Sequence, residues 1–176
     1  LREISTSAAW NVSSSKPGCS VPQLRHPSTS LFWQSDGPQP HYLNIHFFKL
    51  VRIAGLRLYL DFEQDESYTP TRIIFLAGSG MNDLQEWGEM RLESPRGWVW
   101  ADFSGTQPPP TTTITPRSQP RHPFTPLSPN TPHNHHHRRR NKPPKTPILR
   151  AHLVQIKILE NHQNGKDTHL RGLQIF

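Results

Sequence analysis

The stretch Leu56-Arg57-Leu58-Tyr59-Leu60-Asp61-Phe62 carries an apolar residue at every second position, the period of a strand with one face buried and the other wetted. Upstream, Leu43, Ile45 and Phe47 alternate with Asn44 and His46, and downstream Ile73-Ile74-Phe75-Leu76 is a short β-branched and aromatic run. Met90 and Leu92 alternate with Glu89, Arg91 and Glu93. The turn Ser94-Pro95-Arg96-Gly97 then leads into Trp98–Phe103, and the two runs read as a hairpin. Near the end, Val154, Ile156 and Ile158 alternate with Gln155 and Lys157, and Leu173 and Ile175 flank Gln174. No long segment keeps a 3.6-residue period; a short helix over 21–31, interrupted by Pro22 and Pro27, is the most the chain offers. About seven short strands separated by Gly, Pro, Asn and Asp clusters indicate an all-β protein, an antiparallel β-sandwich.

The 176 residues leave room for one ordinary domain, although the hydrophobic share is only 32%. The deficit is local. Residues 105–148 hold Ile114, Phe124, Leu127 and Ile148 and little else that is apolar, together with most of the 19 prolines. Such a segment cannot bury enough surface to fold, so it reads as a disordered insertion loop between two strands, and lengthening a tethered loop costs little. The domain is therefore assigned to 1–104 and 149–176. The net charge of +7 follows the same division: Arg117, Arg121, Arg138, Arg139, Arg140, Lys142 and Lys145 lie in the insert with no acid, and the rest is neutral. The high pI describes the appendage, so it is no ground for reading the folded part as a nucleic-acid surface.

Several function classes lose ground here. Cys19 stands alone, so no intramolecular disulfide supports a secreted scaffold, and it reads as a loop thiol. Residues 1–10 lack a signal-peptide pattern, and no apolar run approaches the ~18 residues of a membrane span. Leu1 in place of an initiator Met suggests a longer product. Catalysis finds little material. His41, His162, His169, Asp65, Glu66 and Asp167 lie in separate loops, without a nucleophile elbow, a phosphate-binding Gly-rich loop or a His-Glu-x-x-His motif.

The insert has signals of its own. Its five histidines, concentrated in His133–His137, come without Cys, Asp or Glu, and a tract with no fixed geometry makes adventitious metal affinity rather than a site. Arg138-Arg139-Arg140-Asn141-Lys142 is either an import or polyanion signal or a solvated charge run. Thr115-Pro116, Thr125-Pro126, Ser128-Pro129, Thr131-Pro132 and Thr146-Pro147 are proline-directed phosphorylation candidates.

The loops of the folded part are chemically richer than turns require. Ser13–Gly18, Trp33–His41, Asp65–Pro70 and Asn161–His169 each carry donors, acceptors and an aromatic residue or proline. Sandwich loops gather at the ends of the sheets, where a rigid scaffold holds side chains for binding. The plain alternative is turn chemistry, with Asp36-Gly37 and Asn164-Gly165 as its units.

These segments together carry a resemblance. Leu1-Arg2-Glu3-Ile4, Trp10, Ser13–Gly18, Trp33–His41 followed by Leu43-Asn44-Ile45, Asp65–Pro70, Gly97-Trp98 and Asn161–Arg171 make the chain similar to the Doc-domain subunits of the anaphase-promoting complex, a cell-cycle ubiquitin ligase. The resemblance covers both flanks of the insert. It implies a galactose-binding-like jelly roll without catalytic activity, cofactor or resident metal. Such a subunit works beside a WD-repeat coactivator to hold the destruction-box degron of a substrate, and it contacts scaffold and tetratricopeptide-repeat subunits. On the matching motifs, the degron-binding residues implied are Ser67, Tyr68, Asn161, His162, Gly165, Asp167 and His169, with Lys16, Gln34, Asp36 and His41 second in rank. Asp167 is alternatively a brace within its loop. Neither nucleic acid nor membrane is implied as a partner, and the implied location is nucleus and cytoplasm. The chain departs from the family in its insert, where many members have a short connection, and in lacking the Ile-Arg tail that docks on a tetratricopeptide-repeat subunit. The competing reading is a carbohydrate- or small-ligand-binding jelly roll, with Trp33, Tyr68 and Trp87 stacking on a sugar face.

Overall fold

Alternating strands with one apolar face must bury those faces against one another, and a computed structural model, which describes residues 1–103 and 149–176, shows how. The strands are β1 (Ala8–Val12), β2 (Trp33–Gln34), β3 (His41–Ile53), β4 (Gly55–Asp61), β5 (Pro70–Gly78), β6 (Gln85–Arg91), β7 (Arg96–Asp102), β8 (Leu149–Asn161), β9 (His169–Leu170) and β10 (Gly172–Ile175). A five-stranded sheet runs β1-β3-β8-β5-β6, a three-stranded sheet β10-β4-β7, and β2 pairs with β9. Every pairing is antiparallel.

One core lies between the two larger sheets. Leu43, Ile45, Phe47, Ile73, Phe75, Ile156 and Ile158 come from the first, and Leu56, Leu58, Leu60, Ala101, Leu173 and Ile175 from the second. Fully burying one such side chain is worth about 1.5–3 kcal/mol, so these two facing sets dominate the stability of the domain. The outward positions are polar in the way the alternation requires. On β8, β3 and β1, Gln155 Nε2 donates to Asn44 Oδ1 (2.8 Å) and Asn44 Nδ2 to Asn11 Oδ1 (2.8 Å), an amide ladder across three strands.

The expected hairpin over 90–103 does not form. β6 pairs with β5 and β7 pairs with β4, so the Ser94-Pro95-Arg96-Gly97 turn carries the chain from one sheet to the other. Pro95 has no N–H to give a ladder, and its carbonyl accepts from Phe62 N (2.9 Å) instead, while Leu92 N is held by Thr71 O (2.9 Å). The helix expected over 21–31 shrinks to α1 (Val21–Leu24). Its start is fixed by a Ser20/Gln23 capping box with a proline in the first turn. A second short helix, α2 (Phe62–Asp65), follows β4, capped by the Asp61 side chain on the N–H groups of Glu63 and Gln64. The insertion 105–148, with its histidines, basic cluster and Ser/Thr-Pro dipeptides, lies outside the described residues.

Candidate functional site

The strand register decides which loops meet. Pro70 at the start of β5 pairs with Asn161 at the end of β8, His41 at the start of β3 pairs with Ile158, and Gln34 of β2 pairs with His169 of β9. Three connections therefore come together at one end of the sandwich: 35–40, 62–69 and 162–168.

They interlock through backbone. His162 N donates to Thr69 O (2.9 Å), Thr168 Oγ1 to Tyr68 O (3.3 Å), and Gln39 Nε2 to Gly165 O (3.1 Å). Ser35 N donates to Thr168 O (3.1 Å) and receives Thr168 N on its hydroxyl (2.8 Å). Gly165 is the closest approach: a Cβ there would overlap the Ser67 carbonyl oxygen and come within 2.8 Å of its carbon. Its φ of −57° is ordinary, so glycine is required by space rather than by backbone conformation. Strain sits beside it, with Glu66, Gln163 and Asn164 at φ of 44°, 52° and 56°, values a non-glycine residue adopts only where the surroundings impose them.

Beneath these loops lies an ionic centre that the sequence reading did not assemble. The buried Asp65 carboxylate accepts from Arg171 Nε (2.8 Å) and Nη2 (2.7 Å) in a fork and from His169 Nδ1 (2.8 Å). Arg171 Nη1 reaches on to Thr29 O (3.1 Å) and so ties down the segment before β2. Burial alone would raise the Asp65 carboxyl; hydrogen bonds from His169 and Arg171, with the guanidinium charge, outweigh it and hold the group below its usual value. Asp65 in turn raises Arg171. The His169 ring is clamped between Tyr68 (centroids 4.3 Å apart, planes at 10°) and Phe32 (4.2 Å, 26°), and Phe62 packs on His162 at 4.4 Å.

All seven first-rank positions thus fall in one cluster, in two layers. Tyr68 is 39% exposed, and Ser67, His162, Gly165 and Asp167 are half-buried. Asn161 and His169 are buried supports. Asn161 Nδ2 donates to Asp167 O (2.6 Å) and fixes the loop from below, so Asp167 is held through its backbone. Among the second-rank residues, Lys16 and Asp36 pair with each other at 2.6 Å on the rim. Gln34 anchors the 13–19 loop through its backbone, accepting Lys16 N at 2.9 Å. His41 is buried and donates from Nε2 to Lys166 O (2.5 Å). Phe32, Gln39, Thr168 and Arg171 join the cluster without having been singled out.

The stacking triad of the carbohydrate reading is not assembled. Trp33 is fully buried, its Nε1 donating to Ser14 O (2.9 Å), and Trp87 belongs to β6, where it lines a separate depression with Leu50 and Arg150. His169 Nε2 is buried beside the Tyr68 and Phe32 rings and has no hydrogen-bond partner among the described residues. Among the described residues no group of His, Cys, Asp and Glu side chains could hold a metal ion.

Comparison with known proteins places this geometry in context. The family model described as "Anaphase-promoting complex, subunit 10" matches residues 1–176. Anaphase-promoting complex subunit 10 of Homo sapiens is 34% identical over 176 residues, which is all of this chain and 75% of that protein. The Dictyostelium discoideum protein of the same name is 35% identical, over 99% of this chain and 72% of its own length. The Saccharomyces cerevisiae subunit DOC1 is 27% identical, over 96% and 53%. Among solved structures, a family 32 carbohydrate-binding module of Clostridium perfringens in complex with GalNAc-β-1,3-galactose superposes with a TM-score of 0.65 over 99% of each chain, at 8% identity. The galactose complex of a module from NanJ of the same organism gives 0.64 over 98% of this chain and 96% of its own, also at 8%. Likeness at that identity carries the jelly-roll fold and leaves ligand choice open.

Proposed function

The chain belongs to the family of anaphase-promoting complex subunit 10, and from that premise we propose that its loop cluster is a non-catalytic co-receptor for the destruction-box degron of ubiquitination substrates. A WD-repeat coactivator holds the other side of the degron. Two weak sites on one peptide raise each other's effective concentration, so the bound substrate leaves more slowly and receives more ubiquitins per encounter. The setting is the nucleus and cytoplasm of dividing cells.

The observation that carries this reading is the interlocking of 66–69 with 162–168 around Gly165. It places Ser67, Tyr68 and His162 on one rigid rim above the Asp65–Arg171–His169 centre. Tyr68 offers an aromatic face whose rotamer is already fixed by stacking, so little side-chain entropy is lost on binding. Backbone strain at Glu66, Gln163 and Asn164, in the same two loops, is where a recognition surface would hold it. Asn161, Asp65, His169 and Arg171 position the rim without touching the degron.

A reconstituted ubiquitination assay tests it. With the wild-type chain, single-encounter reactions on a destruction-box substrate give long ubiquitin chains. Tyr68→Ala/His162→Ala enters the complex and gives short ones. Equal chain lengths from variant and wild type would refute the assignment.

A further inference from the structure

The outer face of the β10-β4-β7 sheet takes no part in the loop cluster, and its composition is unusual for a wetted surface. Register sets Gly172, Tyr59 and Trp98 in one row and Gln174, Arg57 and Trp100 in the next. Glycines make the face flat. The Trp98 indole reaches across β4 to lie over Gly172, where a Cβ would meet it at 2.8 Å, and Trp100 lies against Gly55, where a Cβ would meet the ring at 3.7 Å. Trp98 is 38% and Trp100 47% exposed. The Arg57 guanidinium lies 4.4 Å from the Trp98 ring centre, 5.8 Å from that of Trp100 and 5.4 Å from that of Phe176. Its Nε donates to Gln174 Oε1 at 2.6 Å, and it forms no ion pair with another described side chain. Beside Trp98 the surface dips into a cavity of about 220 Å³, lined by the buried Leu24, Leu173 and Arg171 and by Glu3, Arg25 and His26, so that it backs onto the Asp65–Arg171 pair.

From this arrangement we infer that the face is a second docking surface, which takes a protein segment of a neighbouring subunit bearing a carboxylate and an apolar side chain. The carboxylate pairs with Arg57, the segment lies on Trp98 and Trp100, and the apolar side chain enters the cavity. Trp, Tyr, Phe and Arg are the residues that dominate interface hot spots. A guanidinium immobilised between aromatic rings presents its fork to a carboxylate with little further ordering. The guanidinium of Arg57 on the sheet face and that of Arg25 beside the cavity, against the one carboxylate of Glu3, complement an acidic partner; Arg171, which also lines the cavity, is already paired with Asp65. The cavity lies below the roughly 300 Å³ at which small-molecule sites begin, so it suits one side chain rather than a sugar. A subunit of an assembly needs a face that holds it there while its loops engage substrate, and this surface shares neither Tyr68 nor His162 with those loops.

The test uses the full chain, tagged and expressed in cells of its own source, with the complex purified through a different subunit and occupancy by the tagged chain quantified. Arg57→Glu and Trp100→Ala are expected to lower occupancy at least tenfold with unchanged melting temperature, while His162→Ala enters like wild type. Arg57→Gln substitutes for the charge reversal if that lowers the melting temperature. Wild-type occupancy by the Arg57 and Trp100 variants would overturn the inference, as would failure of the wild-type chain itself to enter. So would light scattering that showed a dimer which Arg57→Glu converts to monomer, because the occupant would then be a second copy. Entry by the wild type with no lengthening of ubiquitin chains would instead count against the degron reading alone.

Discussion

Gly165→Ala is the smallest change that should separate the two recognition loops. The added methyl carbon would overlap the Ser67 carbonyl oxygen and sit 2.8 Å from its carbon, with His162 O at 3.2 Å on the other side. The overlap with the oxygen is the tighter of the two contacts, and non-bonded heavy atoms rest more than about 3 Å apart, so the loops must part by roughly 1 Å or more at that point. Rotation cannot relieve a clash between a methyl group and backbone, and the neighbouring bonds His162 N to Thr69 O and Gln39 Nε2 to Gly165 O stretch with it. Overpacking of this kind costs about 1–3 kcal/mol, a fall in Tm of roughly 2–12 °C at this chain length. Calorimetry measures the fall, and the ubiquitin-chain assay should show a larger relative loss of function than of stability because the displaced atoms form the rim itself. Gly37→Ala is the control: its φ of +100° imposes backbone strain, but nothing lies within 4 Å of the new carbon, so loop spacing and chain length should be preserved. A Gly165→Ala protein with wild-type Tm and chain length would refute the interlocking of the loops.

Asp65→Asn should be the more damaging change. It leaves the buried Arg171 guanidinium without its carboxylate, and breaking a buried pair costs about 3–5 kcal/mol. The same group makes an acid-side prediction. Because the folded state holds the Asp65 carboxyl below its ordinary value, its contribution is complete above that ordinary value and is lost as pH falls from there through the lowered one. Tm measured against pH in that window should fall more steeply for wild type than for Asp65→Asn, and parallel curves would contradict the assignment. Tyr68→Ala removes a partly exposed ring and one stacking contact on His169. Chemical denaturation should show a cost of about 0.5–1.5 kcal/mol for the stacking contact in addition to the lost burial of the ring, with degron binding weakened well beyond what that loss explains.

How much of this was legible in the sequence depended on the range over which each feature is encoded. Strict alternation in 43–47, 56–60 and 154–158 forced strands with known inward faces, and Leu43, Leu56, Leu58 and Ile156 are fully buried as that pattern requires, whereas Phe62, the last apolar residue of the 56–62 run, opens α2 instead. Two-residue strands such as β2 and β9 have no period to read. The 94–97 turn carries the same residues whether it closes a hairpin or crosses between sheets, and only the partners of β6 and β7 decide. The loop residues were found through motif resemblance, and the register then brought them together. What no local pattern could reveal is the ionic centre, because Asp65 and Arg171 are 106 residues apart. Gly165 is implied by the resemblance as a degron-binding position, and the backbone for which its missing side chain makes room is that of Ser67.

The central claim is about how long a substrate stays bound, so the most direct measurement is its dissociation rate. Complexes containing the coactivator and either the wild-type chain or Tyr68→Ala/His162→Ala would be loaded with a fluorescent destruction-box substrate and followed as single molecules. A loss of about 1.4 kcal/mol is tenfold in an equilibrium constant, and the account predicts that the double variant shortens residence roughly tenfold with little change in association rate. Equal residence times for the two complexes would contradict it.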